Sequence, residues 1–327
     1  MKEFVLRMLH KFRWALYPLF FLFMFSLCLY WTFPIDIMRG FVVQQIEEAL
    51  QKSSPHPAAA PPKVSIGSLS VWHLSGVRLD QVSFRLPGQD GRPGALWELE
   101  NLKIRLGIFA ALRGLQKIEF DSKLYGGRIY GGVQLSKKSA LSDLVLVIDD
   151  LDLGRLTKAA GSGGLPIKGL VNLDTDLHFG SDPTDPSDGD FALHLKGMAV
   201  GPGQLPLPVP GMVGGITVPK ILVGNFDGVI DVTKGRAKTK QLKLSGGDIE
   251  LDANIGVDLH QDVWRSRLIG DGWFRIAPKF LDANPALKSM ADFIPQLKAA
   301  KTPDGRYMFS LSGTLENPTP KFGKPAK

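Results

Sequence analysis

The sequence predicts a mainly β protein: an N-terminal transmembrane helix followed by a curled antiparallel meander sheet, a groove or partly open barrel, with a few helices. Three observations predict it. Between Trp14 and Ile35 the chain carries no charged residue. From Val64 onward, apolar residues recur at every second position, the period of a half-buried strand. Glycine pairs such as Gly126-Gly127, Gly131-Gly132 and Gly246-Gly247 punctuate these runs. Few helical patterns intervene, and short connections between strands imply antiparallel neighbours.

Residues 1–13 form a short tail in which Lys2, Arg7, Lys11 and Arg13 face only Glu3. Residues 14–35, including Trp14, Leu22, Cys28 and Ile35, supply the roughly 20 apolar positions that a helix needs to cross about 30 Å of hydrocarbon. Positive flanks stay cytoplasmic, so the tail is expected inside and the body on the far side. A cleaved signal peptide is the alternative. Its apolar region runs about 7–15 residues and ends at a small-x-small site. Here the run is longer, and Thr32-Phe33-Pro34-Ile35-Asp36 is a poor cleavage site, so a retained anchor is favoured. Residues 36–52 read as an amphipathic helix, with Met38, Phe41, Val42, Ile46 and Leu50 at three- and four-residue steps. Residues 53–63 are a Pro/Ala linker, extended and semi-rigid.

Residues 64–327 form the β-rich body. The clearest strand is Asp248 to Leu259, where Ile249, Leu251, Ile255 and Val257 alternate with polar residues or glycine. Leu173 and Leu177 alternate in Gly169–Phe179, Leu193 in Asp190–Lys196, and Phe309 and Leu311 in Arg306–Ser312. Further strands are read at Val77–Leu86, Trp97–Leu106, Arg128–Leu135 and Asp227–Val232. Such a sheet has one polar and one apolar face. The apolar face can close into a barrel, fold over as a sandwich or curl into a groove, and the alternation is the same in all three. Leu151–Ala160 is weakly helical. Phe280–Ala300 is a stronger helix kinked at Pro295, and it is expected to cover part of an incompletely closed apolar concave face. The Gly/Pro stretch between Gly201 and Pro219 is read as irregular, because proline supplies no ladder donor.

Composition narrows the function. Of the net charge of +7, the tail contributes four positives less one negative, leaving +4 for the rest. No basic block with interleaved aromatics occurs, so nucleic-acid binding lacks its usual footprint. Cys28 is the only cysteine, which rules out an intrachain disulfide and a thiolate zinc site. His178 and His194 fall at polar strand positions and read as a solvated face. Asp143, Asp149, Asp150 and Asp152 lack the glycine and terminal glutamate of an EF-hand loop. Asp182–Asp190 reads as a turn-rich hairpin. Gly161-Ser162-Gly163-Gly164 lacks the Lys-Ser/Thr of a phosphate loop, and no Gly-x-Ser-x-Gly elbow occurs. No catalytic residue, cofactor or metal site is expected.

Three segments carry a resemblance. They are the anchor leading through Phe33-Pro34 into an amphipathic helix; Leu74-Ser75-Gly76-Val77-Arg78-Leu79-Asp80-Gln81-Val82-Ser83-Phe84; and the ending Phe309-Ser310-Leu311-Ser312-Gly313-Thr314-Leu315-Glu316-Asn317-Pro318-Thr319-Pro320-Lys321-Phe322. In this layout the chain resembles the long form of the type II secretion system protein N family (GspN), within the wider AsmA/TamB-like group. The resemblance implies a single-pass protein of the bacterial inner membrane with a periplasmic β-rich body, working as an accessory part of an envelope-spanning secretion apparatus. Its expected partners are the membrane and other secretion-system envelope subunits, with no catalytic residues. The alternative is an AsmA-like lipid transport or outer-membrane biogenesis protein that binds phospholipid acyl chains in a β groove.

Overall fold

The computed structural model describes residues 17–25, 27–28, 35–52, 62–72, 75–86, 94–107, 116–135, 141–160, 165–180, 186–206, 215–258, 265–285, 288–289 and 295–323. Helix α1 (Ile35–Lys52) leads into strands β1 (Lys63–Trp72), β2 (Gly76–Arg85), β3 (Leu96–Leu106), β4 (Gln116–Leu124), β5 (Gly127–Leu135) and β6 (Leu141–Asp152). Helix α2 (Leu153–Ala159) follows, then β7 (Ile167–His178), β8 (Asp188–Val200), β9 (Gly203–Pro206), β10 (Gly215–Val218), β11 (Ile221–Thr233), β12 (Arg236–Ser245), β13 (Ile249–Asp258) and β14 (Arg267–Ile276). Helices α3 (Pro278–Ala283) and α4 (Pro295–Ala300) precede β15 (Tyr307–Gly313) and β16 (Pro318–Phe322).

All strands but two form one 14-stranded antiparallel sheet, in which each strand pairs with its neighbours in sequence. Only β9 and β10 stand apart, as a small hairpin set between β8 and β11. The sheet is not closed: β1 and β16 are its two edges. The body is therefore an open antiparallel meander rather than a closed barrel.

Several expectations are corrected. Lys63, assigned to the linker, is the first residue of β1. The Gly/Pro stretch is not wholly irregular, since Gly203–Pro206 pairs with Gly215–Val218 and Pro206 lies opposite Gly215. Phe280–Ala300 is not one continuous helix: α3 ends at Ala283 and Asn284 is not helical, residues 285, 288–289 and 295–300 are helical again, and residues 286–287 and 290–294 lie outside the described set. Pro278 at the first turn of α3 fits the missing donor there. Helix α2 owes its start to Asp152, whose Oδ1 accepts from the Gly154 and Arg155 N–H groups at 2.7 and 3.2 Å.

Among the described residues no helix is long and apolar enough to cross a membrane. Within the expected span, residues 17–25 and 27–28 are helical; Leu22 and Cys28 are exposed, Trp14 lies outside the described residues, and Ile35 opens α1. The linker residues 53–61 and the loop 181–185 also lie outside them.

The tightest core sits at one edge. Val42, Val43, Ile46 and Leu50 of α1 pack on Val64, Ile66, Leu79 and Val82, with Leu69, Phe84, Leu99 and Leu102 around them. Ile66, Leu79 and Val82 are each 1% exposed. Glu47 of α1 also accepts the Val64 N–H at 2.8 Å, capping the start of the edge strand. The period-2 pattern slips inside this region. Gln81 has φ 53°, and Leu79 and Val82 both face the helix although three positions apart.

Candidate functional site

Strand register decides which side chains share a face, because residues directly opposite one another project the same way. One row runs Ile104–Phe120–Gly131–Leu146–Thr175–Phe191–Ile230 from β3 to β11. The next runs Leu102–Ser122–Ile129–Ile148–Leu173–Leu193–Gly228–Leu242. Beyond β12, Leu244 lies opposite Leu251 and Leu251 opposite Phe274, while Ile249 and Val257 face Ile276 and Leu268. Phe309 and Leu311 face Gly272 and Gly270, and β16 adds Phe322 opposite Phe309. These rows join into one apolar face across the whole sheet.

The register brings Leu173, Leu177, Leu193, Ile249, Leu251, Ile255, Val257, Phe309 and Leu311 onto this face. Each is half-buried rather than buried. On the same face Val232, Ala237, Ala253 and Leu268 are buried, so half-buried and buried positions alternate along the lining. Helix α1 packs on the face over β1 and β2. Helix α2 reaches from β6 and β7 to β3, and a cleft lined by Val82, Leu99, Tyr125 and Arg155 lies beside it. At the other end Ala300 of α4 and Tyr307 of β15 are buried, and Tyr307 stacks on Phe274 with ring centroids 5.1 Å apart. Between these ends no described helix lies over the strands.

Two buried polar groups, Thr175 and Ser122, stand on the lining. Thr175 is 3% exposed, between Leu146 and Phe191, and its hydroxyl has no hydrogen-bond partner. A buried unpaired hydroxyl costs about 1–3 kcal/mol. Ser122, nearby on the same face, is satisfied by donating to the Asn101 carbonyl at 2.8 Å. Thr175 escaped the sequence reading because a threonine within an alternating strand looks like any β-branched residue.

The opposite face is a lattice of cross-strand ion pairs. Arg105 Nε donates to Glu119 at 2.9 Å, and Lys117 lies 3.1 Å from the same carboxylate. Arg128 holds Asp121 through two bonds of 3.0 Å and stacks on Tyr130. His178 and His194 meet Asp143 and Asp227, each at 2.8 Å, on this polar face. Among the described residues no group of three or more His, Cys, Asp or Glu side chains converges on a common point.

The Arg105 guanidinium, then Lys117, hold the Glu119 carboxyl below its ordinary value. Arg128 does the same for Asp121. Burial pushes Asp143 up, but bonds from His178, Ser142 and Gln134 prevail and leave it lowered. Groups depressed in the folded state stabilise above their unfolded values and lose that contribution as pH falls through them. The urea midpoint of the chain is therefore expected to fall as pH drops from about 5 toward 3, across the ordinary carboxylate range. Replacing Arg105 and Arg128 with Met should flatten that slope; an unchanged slope would refute the assignment.

No protein-family model matches this chain, and no curated protein or solved structure shows significant similarity to it.

Proposed function

We propose that the chain is an accessory component of a bacterial type II protein secretion system, anchored in the inner membrane by residues 14–35 and extending its sheet into the periplasm. One observation supports this reading most: a 14-stranded open sheet whose apolar face leaves Leu173, Leu193, Leu251 and Phe309 half-buried. A contiguous apolar surface of this kind is rarely left wet, and it marks a place where something binds. An envelope subunit laid along the sheet would cover it. The anchor places α1, and the strands it packs on, next to the bilayer.

A second reading has a specific observation behind it. The half-buried apolar side chains of β7, β8, β13 and β15 suit a lipid, whose acyl chains would fill the lining.

Photoreactive residues at Leu173 and Leu251 of the full-length chain, in cells, separate the two. Capture of another secretion-system subunit supports the first reading. Capture of phospholipid alone supports the second. No adduct at either position would sink both. A reporter active only outside the cytoplasm, fused after Pro62, is expected to be active; activity of a cytoplasm-dependent reporter there would refute the anchor's orientation.

A further inference from the structure

The two edges of the sheet are chemically different. In an antiparallel edge strand, alternate residues turn both N–H and C=O outward. In β16 the inward set is fixed by Gly323, whose N–H donates to the Met308 carbonyl at 3.1 Å. Lys321 and Thr319 share its parity, so Pro318, Pro320 and Phe322 turn outward. Two of these three outward positions are proline and offer no donor. Proline on an outward edge is a device against further strand pairing.

At β1 the outward set is fixed by Val64, whose N–H leaves the sheet to reach Glu47. Strand direction and face together determine which way N–H points, so the other β1 residues on the apolar face also turn outward. These are Ile66, Leu69 and Val71, the last lying opposite Val77 in β2. Helix α1 buries Ile66. Leu69 and Val71 remain, and no described residue bonds to their outward N–H or C=O groups. One edge is blocked; the other is capped at its start and, among the described residues, leaves the outward backbone groups of Leu69 and Val71 unpaired.

We propose that this bare edge pairs with the same edge of a second copy of the chain. Antiparallel pairing about a two-fold axis through Ser70 places Leu69 opposite Val71 of the other copy, Ser70 opposite Ser70, and Ser68 opposite Trp72. Apolar meets apolar on one face, and hydroxyl meets hydroxyl on the other. The axis runs normal to the sheet, so both apolar faces stay on one side and join into a single wider lining. Both α1 helices then lie on that side. The blocked β16 edge makes the assembly finite: head-to-tail pairing of β1 on β16 would build an open filament, whereas a two-fold contact closes at two copies. The paired stretch is short, and confinement to one membrane would raise the effective concentration enough for it to form.

The test uses the full chain with Cys28→Ser. Ser70 falls at a non-hydrogen-bonded pair, where Cα atoms lie about 4.5 Å apart, within the span a disulfide bridges. Ser70→Cys in native membranes is expected to give a disulfide-linked dimer under mild oxidation, and Ser65→Cys is not. Adding Val71→Pro, which removes one outward donor, should abolish the dimer. The mass of the unmodified chain in nanodiscs should likewise be that of two copies, falling to one copy for Val71→Pro. Equal crosslinking at residues 65 and 70, a monomeric mass, indifference to Val71→Pro, or an adduct of Ser70→Cys with a different protein would each overturn the proposal.

Discussion

Gly131→Ala is expected to destabilise the protein by about 2–4 kcal/mol, while Gly132→Ala is expected to be neutral or stabilising by a few tenths. The two positions are adjacent in β5 and identical in composition, so the contrast isolates sterics. A Cβ on Gly131 would collide with the Val145 carbonyl oxygen of β6 and crowd the Leu146 Cα at 3.1 Å. Those atoms are backbone and cannot swing aside, so relief means parting β5 from β6 near the centre of the sheet. A Cβ on Gly132 points to the polar face and meets the Ile118 carbonyl at 3.5 Å and the Glu119 Cγ at 3.6 Å, ordinary contact distances. Alanine there also reduces the freedom of the unfolded chain. Urea unfolding of the full chain with each substitution measures both. Equal midpoints would show that β5 and β6 do not approach as described.

The second large effect is at the covered edge. Leu79→Asp is expected to cost about 4 kcal/mol or more, because it places a carboxylate among Ile66, Val82 and the apolar side of α1 with no partner. The same change at half-buried Leu251 is expected to cost clearly less, since that carboxylate can reach water from the open lining. The two urea midpoints should therefore separate. Equal losses would mean that Leu251 is as covered as Leu79, and the open lining would have to be abandoned.

The difference between these two leucines also shows what the sequence could and could not reveal. Strands whose alternation is clean, such as β13 and β7, were legible because one face is apolar and the other charged. Strand β1 was not, because the slip around Gly67 and Gln81 puts Ile66 and Leu69 on one face three positions apart. Strand β6 hid behind Val145 and Val147, which lie on the polar face and erase the alternation. Strand β14 hid because Gly270 and Gly272 occupy apolar-face positions while Ile269 and Trp273 take the other side. Strand β16 carries prolines that argue against a strand anywhere except at an edge. The side chains now on the lining were visible as a periodic set. Their being half-buried was not, because closure depends on whether the first and last strands meet, and local periodicity does not register that.

The strand order has a consequence for how the chain reaches its native state. Every strand of the large sheet pairs with the strand made just before it, and the one interruption is the β9–β10 hairpin. The pairings are therefore short in sequence, which speeds folding because little loop entropy is lost before a contact is rewarded. No late strand is needed to complete an early one. A chain entering a compartment from its N-terminal end could zip up progressively: α1 with β1–β3 would form the first cooperative unit, and each later hairpin would add to a finished edge. The growing edge would stay open only until Pro318 and Pro320 arrive, so the signal that ends strand addition is also the last part of the sheet to emerge.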